Sequence, residues 1–397
     1  MVPNDAAAGT AHLCEVPLSM IQGLLLFSMV LFVYPFAIYP AILFWAVPQK
    51  RRTHAAVQDL SDCPAVALVI CALNEARIIR ERIENCLAMD YPRDKLRIII
   101  VSDGSSDATA SIAREYTARG LELIERRERR GKIANLNEVI PALTEEIVVL
   151  SDANVLWDPQ ALRKLIARFA DPTVGCVSGR VYLKDTAEPL ASSEANYYDV
   201  EWRLQEKASA LYSMAGADGA MYALRRDLFR PCPSDTLIDD YVIATSVVRQ
   251  GKRVVFEPQA IGWEAGPASL SEEFHRKVRI AAGAAQALLR GNGWTSHCPL
   301  SFWLTFLSHK FLRWVAPVSG LLCLALAAAT WDRTLSRIVL GGVAVLSALA
   351  LTRWLTRWAN PFLDAPFYFL FGQVAAGVGL IRGITGSQSV LWKKSDR

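Results

Sequence analysis

From residue 18 to residue 47 the chain carries no charged side chain. About 20 apolar residues, each rising 1.5 Å, already cross the hydrocarbon core of a bilayer. This run therefore constrains the fold before any other feature, and residues 18–48 are expected to form a transmembrane helix behind an N-terminal tail at 1–17. Pro35 and Pro40 cannot donate backbone hydrogen bonds and are expected to kink or end the helix near its far side. A cleaved secretory leader is the competing reading, but leaders begin with a basic segment, and here Asp5 and Glu15 precede the run. Gln49, Lys50, Arg51 and Arg52 follow it at once. Because positive residues stay on the cytoplasmic side of membrane helices, residues 49–52 are expected inside and the N-terminus outside.

Apolar residues accumulate again at the other end. The stretches 315–331, 335–351 and 365–381 are each near the minimum length for a span, which assigns 315–384 to C-terminal transmembrane helices and 385–397 to a tail. Gly341, Gly342, Gly372, Gly377 and Gly379 are small residues of the kind that let membrane helices approach closely. Just before them, Phe302, Trp303, Phe306 and Phe311 alternate at helical spacing with His309, Lys310 and Arg313. That is the pattern of an amphipathic helix at 299–313 lying in the membrane interface; a helix packing on the domain before it fits equally well. If all three C-terminal segments cross, Arg353 and Arg357 fall inside as preferred, yet the tail with Lys393, Lys394 and Arg397 ends outside. Pro361 and Pro366 leave a second reading open, in which the last segment is re-entrant or interfacial and returns the tail to the cytoplasm.

Composition agrees with a chain partly in lipid: 52% of residues are hydrophobic and 21% charged, with mean hydropathy +0.21. Lys and Arg number 43 against 39 Asp and Glu, a net charge of +4, too small for a nucleic-acid coat, so neither DNA nor RNA is an expected partner. The eight cysteines never form a CxxC pair and are expected to be reduced packing residues.

Between 53 and 290 the pattern changes to a soluble alternation of strands at 65–73, 96–102, 121–125 and 147–151 with helices such as 108–119 and 132–143. Such alternation predicts a mostly parallel, helix-covered sheet, whose ligands bind beyond the carboxyl ends of the strands. Three of those ends carry acidic or amide side chains: Asn74 and Glu75; Asp103, Gly104 and Asp107; Asp152, Ala153 and Asn154. Helix capping accounts for any one of them, Asp107 best. Three at one sheet edge repel unless a cation or polar ligand sits among them. No Gly-rich dinucleotide fingerprint follows the first strand and no P-loop motif occurs, which leaves a nucleotide site of carboxylates and a hard divalent ion.

The ordered set Asn74-Glu75, Asp103-Gly104-Ser105-Ser106-Asp107, Gly131-Lys132, Ser151-Asp152-Ala153-Asn154, Gly216-Ala217-Asp218-Gly219 and Asp239-Asp240-Tyr241 resembles the membrane-bound family 2 glycosyltransferases, which include cellulose, chitin and hyaluronan synthases and bacterial exopolysaccharide enzymes. The resemblance covers about 65–290. It implies an α/β GT-A (Rossmann-like) fold, a mostly parallel sheet flanked by helices with transmembrane helices at both ends, with 53–290 as a cytoplasmic domain at the bacterial inner (plasma) membrane. It further implies an inverting, metal-dependent hexosyltransferase that uses a UDP-sugar to extend a β-linked polysaccharide or oligosaccharide. Transfer of one sugar to a lipid or polyprenyl-linked acceptor is the alternative within the same chemistry. A non-catalytic scaffold is the rival of another class, and intact Asp103, Lys132, Asp152 and Asp240 argue against it.

By the same resemblance, Asn74, Glu75 and Asp103 would bind the nucleoside, Lys132 and Arg279 the diphosphate, and Asp152 with Asn154 a Mg²⁺ or Mn²⁺ ion. Gly216, Asp218 and Gly219 would floor the acceptor site, and Asp240, next to Asp239, would be the catalytic base. Two of these have independent support. Lys132 follows Gly131 at a helix start, where a phosphate is favoured, although it also belongs to the basic run 126–132. Adjacent like charges at Asp239 and Asp240 raise one pKa, which suits a base, although either can cap the helix at 242–249. Where polymerising relatives carry QxxRW, this chain reads Arg276-Lys277-Val278-Arg279-Ile280, which leaves processive and single transfer both open. Tyr197, Tyr198, Trp202 and Trp263 are candidates to stack on sugar rings or to fill the core. The short membrane complement suggests self-association or an export partner. The sugar and its linkage are not legible.

Overall fold

The computed structural model describes residues 17–47, 63–184, 191–294, 298–358 and 360–391, with the side chains of 191–197 outside the description. The tail at 1–16, the basic cluster 49–52, the ring of Tyr197 and the cations at 393, 394 and 397 lie outside it.

The first helix, α1 (Leu18–Ala46), runs unbroken through both prolines. A π-helical turn at Tyr34–Ile38 makes this possible: Tyr39 N–H reaches back five residues to the Tyr34 carbonyl, so the register shifts past the amide that Pro35 lacks instead of ending the helix. The soluble domain follows with strands β1 (Val66–Ala72), β2 (Leu96–Asp103), β3 (Leu121–Arg126), β4 (Ile147–Asp152), β5 (Val155–Trp157), β6 (Val174–Lys184), β7 (Met221–Arg225) and β8 (Arg253–Ala265). Its helices are α2 (Ile79–Leu87), α3 (Thr109–Arg114), α4 (Lys132–Ala142), α5 (Ala161–Ala167), α6 (Ala191–Leu211), α7 (Asp239–Arg249) and α8 (Leu270–Leu289). Three helices close the chain: α9 (Leu300–Ala329), α10 (Thr334–Thr356) and α11 (Pro361–Ile384).

The eight strands form one sheet in the order β3-β2-β1-β4-β7-β6-β8-β5. The strands β3, β2, β1 and β4 are parallel, and β6 pairs parallel with β8, while β7 and β5 run antiparallel to their neighbours. The run Leu96–Asp103 is apolar nearly throughout because helices cover both faces: Ile99, Ile100 and Val101 are fully buried. Truncating Ile100 to Ala should cost about 2–5 kcal/mol. Register aligns the strand ends, with Ala72 opposite Ser102 and Cys71 opposite Asp152, so Asp103 and Asp152 emerge on either side of β1.

Four helices, α1, α9, α10 and α11, are long and apolar enough to cross a membrane by length and composition. The start of α9 does not lie free: Phe302 and Phe306 are fully buried in the core shared with α7. A second π turn, Phe306–Phe311, interrupts α9 where it leaves the domain, with Leu312 N–H bonded to Leu307 O. α1 and α9 pair antiparallel, Gly320 against Phe32 and Arg313 Nε donating to Pro35 O.

α11 runs across that pair. Phe369 meets Phe32 and Phe36 of α1, and two turns later Gly377 meets Pro317 of α9. Along its length α11 lies on α8: Phe371 packs on Phe274, Lys277 Nζ bonds Tyr368 Oη at 3.0 Å, and a Cβ on Gly379 would fall 2.5 Å from the Val278 carbonyl oxygen. Beyond α11 the chain reaches Leu391, whose side chain lies 3.6 Å from where a Cβ on Gly131 would stand. The last described residues thus return to the soluble domain.

Candidate active site

At the β1 and β2 ends the polar side chains hold loops to each other. Asn74, with φ +56, accepts from Ser106 N–H, and its own N–H donates to Ser105 Oγ at 3.2 Å. Glu75 N–H donates to Thr109 Oγ1 at 2.7 Å, and Asp107 accepts from Thr109 N–H at 2.9 Å, one residue ahead of Ala108, the N-cap of α3. Asp103 is buried, and its carboxylate accepts from Arg130 N–H, Gly131 N–H and Asn135 Nδ2, each at 2.8 Å. That spends most of its acceptor capacity on the turn before α4, so Asp103 braces the lysine loop. Gly104 lets this loop pass, since a Cβ there would meet Arg129 N at 2.5 Å.

The brace sets Lys132 at the first turn of α4. Its Nζ lies 2.9 Å from Asp152 Oδ1 and 3.3 Å from Asp239 Oδ2. Burial works against the ammonium, but the two carboxylates outweigh it and hold its pKa above the usual range. Cys71 sits beside this cluster with its thiol pushed up to about 12 by burial.

Asp239 and Asp240 open α7 side by side yet face different company. Asp240 Oδ2 accepts from Gly219 N–H at 3.1 Å and Oδ1 from Tyr241 N–H at 2.7 Å. Its carboxyl is pushed up to about 6 by burial first and by Asp239 second. Gly219 is required for this approach, because a Cβ there would lie 3.2 Å from Asp240 Oδ2. Asp218, tied by its N–H to Ser178 Oγ at 3.0 Å, is also raised by burial, with Arg276 and Lys310 opposing. Gly216, Asp218, Gly219, Asp240, Asp239, Lys132 and Asp152 are thus one connected constellation.

Whether a divalent ion suits it is a matter of donors. Among the described residues no group of three or more His, Cys, Asp or Glu is arranged to hold a metal. Two hard carboxylates nevertheless share one cation, and the buried Asp239 Oδ2 lacks a hydrogen-bond partner. Mg²⁺ is commonly held by one or two carboxylates, with substrate phosphates and water completing the shell, so the donor set fits. Asn154 follows Asp152 by two residues, between β4 and β5.

The α8 cations are engaged elsewhere. Arg276 and Lys277 both pair with the fully buried Glu273, at 2.6 and 3.1 Å. Trp202 is 2% exposed and stacks on Phe256 at 5.7 Å, so it belongs to the core and not to a sugar platform. Arg82 escaped notice in the sequence. It is fully buried on α2, donates to Ser151 Oγ at 3.0 Å and lies over the Trp157 ring, bracing β4 just before Asp152. Its signal was an arginine on the apolar face shared by Ile79, Ile83 and Cys86.

The profile of a family described as glycosyltransferase like family 2 matches residues 64–283. The chain is 26% identical over 238 residues to the poly-beta-1,6-N-acetyl-D-glucosamine synthase of Staphylococcus aureus (strain COL), across 58% of this chain and 57% of that protein. To the probable glycosyltransferase YdaM of Bacillus subtilis (strain 168) it is 24% identical over 286 residues, 69% of this chain and 66% of that one. It thus matches a little over half to about two thirds of these relatives' lengths. A solved structure of the mannosyltransferase PcManGT from Pyrobaculum calidifontis, in complex with GDP-Man and Mn²⁺, superposes with a TM-score of 0.73 at 24% identity, covering 93% of this chain and 100% of that chain. At that identity the likeness shows the fold, a GT-A domain with apolar helices around it.

Proposed function

The chain belongs to glycosyltransferase family 2, and from that membership we propose that it is an inverting, metal-dependent transferase that extends a β-linked polysaccharide or oligosaccharide from a UDP-sugar. The observation that carries this reading is the split between neighbours: Asp239 faces Lys132, whereas Asp240 faces the glycine floor with its carboxyl near 6. Carboxylates set apart in this way take different roles, and a base serves best with a pKa near the working pH.

Asp240 accepts the acceptor hydroxyl's proton as that oxygen attacks the anomeric carbon. The bond from that carbon to the diphosphate oxygen breaks, its electron pair leaves with UDP, and configuration inverts in one displacement. Lys132, fixed beforehand at the start of α4, meets the charge that develops on the diphosphate. Asp152 and Asp239 would hold Mg²⁺ or Mn²⁺, with Asn154 beside them; such an ion neutralises diphosphate oxygens. Asn74 and Glu75 border the nucleoside side, Asp103 positions the Gly131-Lys132 turn, and Gly216, Asp218 and Gly219 floor the acceptor. Arg279 of α8 would contact the diphosphate.

Likeness to a poly-beta-1,6-N-acetyl-D-glucosamine synthase puts UDP-N-acetylglucosamine first among donors. The membrane reading is that α1, α9 and α10 span a bacterial plasma membrane, with the GT-A domain on the cytoplasmic face and α11 in the plane of the inner leaflet. Purified enzyme incubated with labelled UDP-N-acetylglucosamine, UDP-glucose, UDP-galactose, UDP-glucuronate and GDP-mannose should turn over a UDP-sugar and give a product ladder. Turnover of GDP-mannose alone removes the UDP donor, and one discrete glycolipid replaces extension with single transfer.

A further inference from the structure

We infer that α9 completes the acceptor site, with Lys310 and Trp314 positioning the acceptor sugar above Gly216. This rests on the reading of Gly216, Asp218, Gly219 and Asp240 as the acceptor floor. Two side-chain pairs, each four residues apart, leave α9 in different directions. His309 and Arg313 turn to Glu201 of α6, with His309 Nε2 at 2.9 Å and Arg313 Nη1 at 2.8 Å from its carboxylate. Lys310 and Trp314 turn to the floor. Lys310 Cε lies 3.8 Å from where a Cβ on Gly216 would stand, and the Trp314 ring meets the edge of Tyr241 at 5.0 Å and 75°. Tyr241 follows Asp240 directly, and its ring carbon Cδ2 is 3.3 Å from the same Gly216 position. The π turn Phe306–Phe311 widens α9 at this point, which brings both pairs onto their targets from one helix; such turns recur at functional sites.

Packing alone does not explain Lys310. It is half-buried and has no hydrogen bond or ion pair with any described residue, although His309 and Arg313 beside it share a carboxylate. Glu201 and Asp218 lie within its electrostatic reach, but a partly desolvated ammonium without a hydrogen-bond partner is unfavourable, and hydroxyl or acidic oxygens of a saccharide would satisfy it. The half-buried Trp314 ring, backed by the buried Tyr241, supplies the apolar surface that a sugar face packs against. Arg276, which like Lys310 lowers the pKa of the Asp218 carboxyl, already pairs with Glu273, whereas Lys310 has no such ion pair among the described residues.

The test uses full-length enzyme in detergent, with UDP and a β-1,6-linked N-acetylglucosamine tetrasaccharide as probes in calorimetric titration, and acceptor KM measured with UDP-N-acetylglucosamine. Lys310→Met and Trp314→Leu should each weaken tetrasaccharide binding and raise acceptor KM about tenfold, as expected for loss of one charge-assisted contact or one stacked ring. Affinity for UDP should stay within about twofold, and Lys310→Arg should recover most of the loss. Parental tetrasaccharide affinity in both variants overturns the inference, and so does an equal loss of UDP and tetrasaccharide affinity, which marks a structural role. If Asp240→Asn still transfers at the parental rate, the acceptor-floor reading itself fails, whatever Lys310 does.

Discussion

Asp240 and Asp239 differ by one position in the chain and by most of what decides a carboxylate's chemistry. Asp240→Asn keeps the shape and the contact with Gly219 but cannot take a proton, so kcat should fall by about 10²–10⁴ while UDP affinity changes little. The base must be ionised to act. With its carboxyl raised to about 6, kcat/KM should be level above that pH and drop about tenfold per pH unit below it; a profile flat down to pH 5 removes Asp240 as base. Asp103→Ala removes the acceptor of two backbone N–H groups and Asn135. It should destabilise the Gly131 turn by about 1–3 kcal/mol, seen as a raised donor KM and a lower Tm. Chelation by EDTA should abolish turnover and added Mn²⁺ should restore it; activity that survives the chelator sinks the metal assignment. The acidic residues themselves were legible in the sequence because they follow apolar strands at regular intervals. Their division of labour was not, since it depends on which backbone amides a distant loop presents: Asp103 is claimed by residues 27 to 32 positions later, and Arg82 is hidden in a helix that looks amphipathic.

At the level of elements, the strands of the parallel core follow directly from the buried runs, whereas helices with proline misled. Pro35 lies inside α1 because a π turn absorbs the missing donor, and sequence pattern carries no mark of a five-residue hydrogen bond. The helix α11 reads as a span by hydropathy, yet its small residues serve a soluble-domain helix. Gly379 and Gly383 press on the α8 backbone, the Val278 carbonyl oxygen lying 2.5 Å from a Cβ built on Gly379. Backbone oxygen cannot rotate away as a side chain can, so Gly379→Val must displace α11 or bend α8. The expected outcome is a loss of about 1–3 kcal/mol and a lower Tm, with reduced transfer because α8 carries Arg276 beside the floor. Gly341→Val, at a position with open space around it, is the matched control and should leave Tm within a degree or two. Equal Tm for the two variants would show that α11 does not bear on α8.

At the scale of the whole molecule, three contacts bear on the proposed placement of α11 in the plane of the inner leaflet. α1 and α9 are antiparallel, α9 leaves the domain at Phe306, and α10 returns to the buried Arg353–Asp364 ion pair at the start of α11. From there Phe369 and Gly377 of α11 touch α1 and α9 in turn, and the Leu391 side chain lies near Gly131. Under that proposal the chain crosses three times, with the N-terminus outside and the tail after α11 inside. The sequence suits that proposal: with three crossings Lys393, Lys394 and Arg397 would share a side with Lys50, Arg51 and Arg52, as the bias of positive residues prefers, whereas four crossings would separate them. Fusion of a fluorescent protein that folds only in the cytoplasm, or of alkaline phosphatase that works only outside it, reads this directly. A C-terminal fusion of full-length protein should fluoresce and lack phosphatase activity. A phosphatase-positive, dark C-terminus requires α11 to cross and would overturn the in-plane placement.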